Sequence, residues 1–137
     1  MIVVDASVAS KWFRRTDENN IDKALILLQN HINNKEAITI PSLLYLEVAN
    51  AMVTKGGMGE KAIRKNLEFL NERDLKIYSF TKTDYIEAAV LANKFKTSVY
   101  DMLYAVIAKK NNTVLITADD KFIRKTKFPF VKSLSNY

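Results

Sequence analysis

Fifteen acidic side chains are spread along this 137-residue sequence, and four of them flank or interrupt apolar stretches. Asp5 directly follows Ile2-Val3-Val4, and Glu47 interrupts the run from Leu43 to Met52. Asp101 precedes Met102-Leu103-Tyr104-Ala105-Val106-Ile107-Ala108, and Asp119 comes just after Val114-Leu115-Ile116. An acid in apolar surroundings costs free energy unless it is paired or binds a metal. Gathered carboxylates repel one another and need a cation or shared protons. An all-oxygen ligand set suits a hard divalent ion, Mg²⁺ or Mn²⁺. Such an ion activates water and stabilises charge developing at phosphorus; two ions about 4 Å apart can clamp the attacking and leaving oxygens. The chemistry to expect is metal-assisted hydrolysis of a phosphodiester.

Each acid also has an ordinary explanation. Glu47 could reach solvent along a narrow polar stripe that includes Asn50, three residues on. Asp101 could be a first-turn acid favoured by the helix dipole. Asp5 and Asp119 could be N-caps. Taken together the four are less easily explained in this way, because the elements around them place two on one rim. The single histidine, His31, lies in a polar stretch without an evident partner and receives no chemical role.

The elements that must hold these residues can be read from periodicity. Strands are expected at Ile2–Val4, Ala37–Ile40, Leu75–Tyr78, Thr113–Ile116 and Val131 to about Leu134. A helix should begin at Asp5-Ala6-Ser7 and run to about Arg14. An amphipathic helix should span Ile21 to about Ile32. A third, Ser42 to about Thr54, is apolar nearly all round and should be well buried. Asp17 to Asn20 reads as a polar turn. All three glycines fall between Lys55 and Glu60 and imply another turn, followed by a helix to about Glu72. Thr81 and Asp84 form a capping box with Asp in place of Glu, opening a helix to about Phe95. Val99–Lys109 should be a buried helix, and a short one follows Asp119. Strands alternating with helices imply a mostly parallel sheet of four to five strands with helices on both faces, in one domain over residues 1–137. Ligands in such sheets bind beyond the carboxyl ends of the strands. Asp5 and Asp119 then share a rim.

Charge supports a polyanionic substrate. Setting the four acids aside leaves eleven acids against 21 bases. From Lys121 to Tyr137 there are five bases, Lys121, Arg124, Lys125, Lys127 and Lys132, and no acid. An acidic pocket in a basic surround fits a nucleic-acid backbone. Tyr45, Tyr104 and Phe122 read as core rather than as a base-stacking set. The absence of cysteine excludes disulfides and thiolate zinc sites, and points to the cytoplasm. An acid at position 5 spoils a signal-peptide reading. The apolar run Met102–Ala108 is too short to span a membrane.

These residues in this order resemble the PIN-domain family, above all its VapC-like toxin ribonucleases. The matching segments are Val3-Val4-Asp5-Ala6-Ser7-Val8 with Lys11-Trp12, and Pro41-Ser42-Leu43 through Glu47-Val48-Ala49-Asn50-Ala51. They continue with Tyr100-Asp101, Tyr104-Ala105 and Ala108, and with Leu115-Ile116-Thr117-Ala118-Asp119 and Phe122. The resemblance implies a PIN-like three-layer α/β/α sandwich and Mg²⁺- or Mn²⁺-dependent cleavage of RNA. It puts Asp5, Glu47, Asp101 and Asp119 on the family's acidic positions. Ser7, Thr117 and Asn50 fall where polar groups support the metal or its water. It further implies a homodimer and a VapB-like antitoxin. Whether Asp120 shares the role of Asp119 stays open, as do two alternatives: an RNA-processing nuclease without an antitoxin, and a non-catalytic binding module. An aspartyl-phosphate phosphatase is disfavoured because Ser7 stands where its second Asp belongs. A P-loop is absent, since the glycines near Lys55 lack the Gly-Lys-Ser/Thr ending.

Overall fold

The computed structural model describes residues 1–14, 18–55 and 57–137. Asp17 of the expected polar turn and Gly56 of the glycine turn lie outside the described residues. Five parallel strands form one sheet in the order β3-β2-β1-β4-β5. They are β1 (Ile2–Val4), β2 (Ile38–Pro41), β3 (Lys76–Tyr78), β4 (Leu115–Thr117) and β5 (Val131–Ser133). The central strands are β-branched and fully covered: Val3, Val4, Ile38 and Ile40 have no exposed surface. That is the pattern of a parallel sheet with helices on both faces.

The helices are α1 (Ala6–Ala9), α2 (Ile21–Ile32), α3 (Leu43–Thr54), α4 (Glu60–Asn71), α5 (Lys82–Phe95), α6 (Val99–Lys110) and α7 (Asp120–Thr126). Parallel strands are joined almost always by right-handed crossovers. The path β1→β2→β3 runs one way from the centre, and β4→β5 runs the other. Helices α1 to α4 therefore cover one face and α5 to α7 the other. Helix α6 packs on β1, β2 and β4, and α3 packs on β2. The switch in direction lies between β1 and β4, where open α/β sheets leave a crevice for ligands.

Three expectations need correction. The first helix is not continuous: α1 gives way to a 3₁₀ segment, Ser10–Phe13. Short 3₁₀ pieces are common where a helix end must tighten, and here the segment holds Trp12, whose Nε1 donates to the Ala24 carbonyl at 2.9 Å. Helix α3 is not buried all round. It buries Leu44, Val48 and Met52, spaced four apart, and leaves Leu46 71% and Val53 68% exposed. Only the side facing β2, α1, the 3₁₀ segment and α4 is covered, despite an apolar sequence. His31 does have partners: its Nδ1 accepts from the Ile38 N–H at 3.1 Å, and its Nε2 lies 2.9 Å from the Arg73 carbonyl oxygen. The ring thus ties α2 to the start of β2 and the turn before β3.

Candidate active site

Strand register builds the site. Val4 pairs with Ile116, so Asp5 leaves β1 at the level of Thr117, the last residue of β4. Asp5 caps α1: its Oδ1 accepts from the Val8 N–H at 3.2 Å and from the Ser7 hydroxyl at 2.5 Å. Neither bond uses Oδ2. The Ser7 hydroxyl also accepts from the Ala118 N–H at 2.9 Å and lies 3.4 Å from the Thr117 hydroxyl. Thr117, fully buried, accepts from the Asp119 N–H at 3.0 Å. Two hydroxyls thus bridge the ends of β1 and β4, which explains why Ser and Thr stand there.

Asp119 caps α7, with Oδ1 accepting from the Phe122 N–H at 3.0 Å. Strand β4 runs one residue further than expected, yet Asp119 remains the half-buried acid, while Asp120 is exposed. Asp101 stands in the first turn of α6, where its N–H donates to the Ser98 hydroxyl at 3.0 Å. Glu47, half-buried on α3, accepts through Oε2 from the Tyr104 hydroxyl.

Electrostatics join three of these acids. Burial raises the Asp5 pKa to about 6, and the negative charge of Asp101 adds to the rise; the Ser7 and Thr117 hydroxyls and the Val8 N–H oppose it. Burial also raises Glu47, with further upward pushes from Asp101 and Asp5, while the Tyr104 hydroxyl pulls it down. Like charges in a shared, poorly hydrated space disfavour ionisation. No ion pair among the described residues includes Asp5, Glu47, Asp101 or Asp119. Their donors are neutral.

The donor chemistry fits a hard divalent ion: carboxylates only, three of them electrostatically coupled, and none with a protein cation among the described residues. The arrangement is not a closed cage, since no three acids among the described residues make a ready ligand set. Asp119 is linked to Asp5 only through Thr117 and Ser7.

Residues 2–128 match the PIN-domain family. The chain is a PIN domain. Members of this family are generally nucleases that act with divalent metal ions and bind RNA. Among solved structures, PAE2754 from Pyrobaculum aerophilum superposes with a TM-score of 0.72 at 20% identity, covering 98% of this chain and 90% of that one. At that identity the likeness is one of fold. No match was found among curated protein sequences. No helix among the described residues is long and apolar enough to cross a membrane.

Within the PIN fold, Asp5, Ser7, Thr117 and Asp119 come together at the β1/β4 rim, Asp101 acts on Asp5 through charge, and Asp101 and Asp5 act likewise on Glu47. Asn50 does not join them by any hydrogen bond. It is exposed, and its side chain has no hydrogen-bond partner among the described residues. Tyr104 is the residue that sequence reasoning gave to the core. Its ring is core, 1% exposed, but its hydroxyl donates to Glu47. Burial and the Glu47 charge push its pKa far above the ordinary tyrosine value, so it stays a donor at any working pH. A signal was present: Tyr104 lies three residues after Asp101, one helical turn along the same face.

Proposed function

We propose that this PIN domain is a Mg²⁺- or Mn²⁺-dependent endoribonuclease, the toxin of a VapBC-type pair, with Asp5, Glu47, Asp101 and Asp119 as its metal-holding residues. One observation supports the reading: Asp5 and Asp119 stand at the ends of β1 and β4, Asp101 and Glu47 are coupled to Asp5 by charge, and none of the four has a basic partner among the described residues. Structural acids usually have such partners or lie in water.

The chain's own groups divide the work. Asp5 offers Oδ2, since Ser7 and Val8 hold only its other oxygen. Glu47 offers Oε1, with Oε2 held by Tyr104. Asp119 offers Oδ2, with Oδ1 held by the α7 cap. Asp101 is held only through its backbone N–H, so both carboxylate oxygens are available. A divalent ion held by these oxygens would neutralise phosphate charge and acidify a water molecule. Asp5 would hold the ion in its deprotonated form, and burial makes the proton it must first give up more tightly bound than in a free carboxyl. Ser7 and Thr117 fix the angle of Asp5 and keep the two strand ends together.

The proposal includes a homodimer and a VapB-like antitoxin. Tyr85, Ile86 and Val90 leave exposed apolar surface on α5 that a second copy would cover. An antitoxin side chain carrying positive charge would complement the uncompensated acids.

The test is cleavage of a mixed structured RNA with Mn²⁺ or Mg²⁺ and with chelator, beside Asp5→Asn and Asp101→Asn. Metal-dependent cutting that disappears in both variants is the expected result. Cutting that survives both substitutions places the chemistry elsewhere.

A further inference from the structure

Six bases with no ion pair among the described residues lie together at one corner of the molecule. On α7, Lys121, Arg124 and Lys125 are exposed, while Phe122 and Thr126 are buried. Positions i, i+3 and i+4 share a helix face, so the three bases form an outward ridge that starts two residues after Asp119. Exposed Lys127 extends it at the end of α7. The Lys125 ammonium donates to the carbonyl oxygen of Lys96, the residue that ends α5. This contact brings exposed Lys94 and Lys96 to the same corner.

Aromatic rings border the bases. Phe95 and Phe128 meet edge to face with centroids 5.0 Å apart, and Phe130 stacks on Phe128 at 5.2 Å. All three are half-buried, and the Lys94 ammonium stands 5.3 Å from the centroid of the Phe95 ring. None of the six bases enters an ion pair among the described residues. Some bases elsewhere do: Lys11 and Arg14 share Glu18, Lys109 takes Glu87 and Lys110 takes Asp84.

Uncompensated cations in one place repel each other and raise the affinity for a polyanion. Cations beside partly exposed rings suit a single strand in particular, because phosphates meet the bases of the protein while nucleobases stack on the rings. Helix α7 is about 10 Å long, so the ridge reaches a few nucleotides from the acid pocket at its N-terminal end. The geometry points to this α5–α7 corner as a track that holds single-stranded RNA beside the pocket. The inference rests on the nuclease reading for what the pocket does to that strand, but binding along the track needs no catalysis.

The experiment is fluorescence anisotropy of a labelled single-stranded RNA with the full chain in chelator, over a series of salt concentrations. The ridge variant is Arg124→Glu/Lys125→Glu. Its control is Lys61→Glu/Lys65→Glu on α4, two exposed bases with the same change in charge. The ridge variant should bind about tenfold or more weakly near 0.15 M salt, and its slope of log K against log salt should flatten by about 1.4, or about 0.7 per lost phosphate contact. The control should keep its slope. Equal weakening in the two variants, or none in the ridge variant, overturns the track. Circular dichroism checks folding, and Lys121→Gln/Arg124→Gln gives the same comparison with milder changes should the glutamates unfold the chain. Binding on the ridge with no cutting once metal is added sinks the nuclease reading alone. Metal-dependent cutting with ridge binding unchanged sinks the track alone.

Discussion

Helices α5 and α6 open with the same four-residue pattern, Thr81-Lys82-Thr83-Asp84 and Ser98-Val99-Tyr100-Asp101, and the two acids meet different ends. In both, the hydroxyl accepts from the N–H of the acid, at 3.3 Å for Thr81 and 3.0 Å for Ser98. At α5 the carboxylate turns back, and Asp84 Oδ2 accepts from the Thr81 N–H at 2.8 Å, closing a capping box. Tyr78 adds a hydroxyl at 3.3 Å and Lys110 an ion pair. Burial by itself would raise the Asp84 pKa, but the bonds from Lys110 and Thr81 bring it below the ordinary value. At α6 the carboxylate does not turn back. Asp101 has no cation among the described residues and instead acts on Asp5 and Glu47, raising both. A short acid-bearing cap is therefore a local signal with two outcomes, and the difference lies in which distant groups the fold brings to the carboxylate. Asp84 is a satisfied structural acid. Asp101 is an acid with its capacity unspent.

Substitutions at the two positions should separate sharply. Asp101→Asn keeps the size of the side chain and the Ser98 bond. It should lower RNA cleavage by more than about a hundredfold, beyond the 10–100-fold typical of groups that only support a metal ligand. Its unfolding free energy should stay within about 0.5 kcal/mol of the parent. Asp84→Ala should do the reverse. Losing the cap and the buried hydrogen bonds should cost about 2 kcal/mol in urea unfolding, while cleavage per folded molecule stays within about twofold. A variant at Asp84 that abolished cleavage without loss of stability would erase the distinction.

Tyr104→Phe comes next in size. It removes only the hydroxyl that holds Glu47. Cleavage should fall about tenfold, as for other outer partners of metal ligands, with about 1 kcal/mol lost in stability. Unchanged cleavage and unchanged Mn²⁺ affinity would make the bond incidental.

The pH dependence is smaller in size but distinct in sign. Asp5 has a folded pKa of about 6, above the ordinary 3.8, so the folded state binds its proton more tightly than the unfolded state does. Its contribution favours the fold below the unfolded value and is lost as pH rises through about 6. Without metal, Asp5→Asn should therefore be more stable than the parent near pH 7.5, by about 1 kcal/mol once partial exposure is discounted. At pH 4 the gap should close. Mn²⁺ binding by the parent should weaken as pH falls through about 6, because Asp5 must lose its proton to hold the ion. Asp84, shifted the other way, should contribute stability at neutral pH that is lost only in more strongly acidic solution. Parallel pH profiles for variants at Asp5 and Asp84 would contradict the assignment.

The same contrast shows what the amino-acid order discloses. Helix α2 is legible to the residue, Ile21–Ile32, because its apolar positions repeat at helical spacing. The Thr81–Asp84 box is legible because both partners lie within one turn. Strand order is not written locally, although the rule that ligands sit at carboxyl ends was enough to pair Asp5 with Asp119. What escaped was long-range. The Tyr104–Glu47 bond joins residues 57 positions apart. The Asp84–Lys110 pair joins α5 to the far end of α6. Apolar content misled at α3, where Leu46 and Val53 face outward. Composition counts greasy residues but does not say how many neighbours the fold supplies.

The most direct test of the acid pocket is Mn²⁺ binding, followed by electron paramagnetic resonance at pH 7.5 without RNA. The parent and Asp84→Asn should deplete free Mn²⁺ alike, while Asp5→Asn and Asp101→Asn should each bind at least about tenfold more weakly. Equal Mn²⁺ binding by all four proteins, or its loss in Asp84→Asn alone, would contradict a metal centre at the β1/β4 crevice.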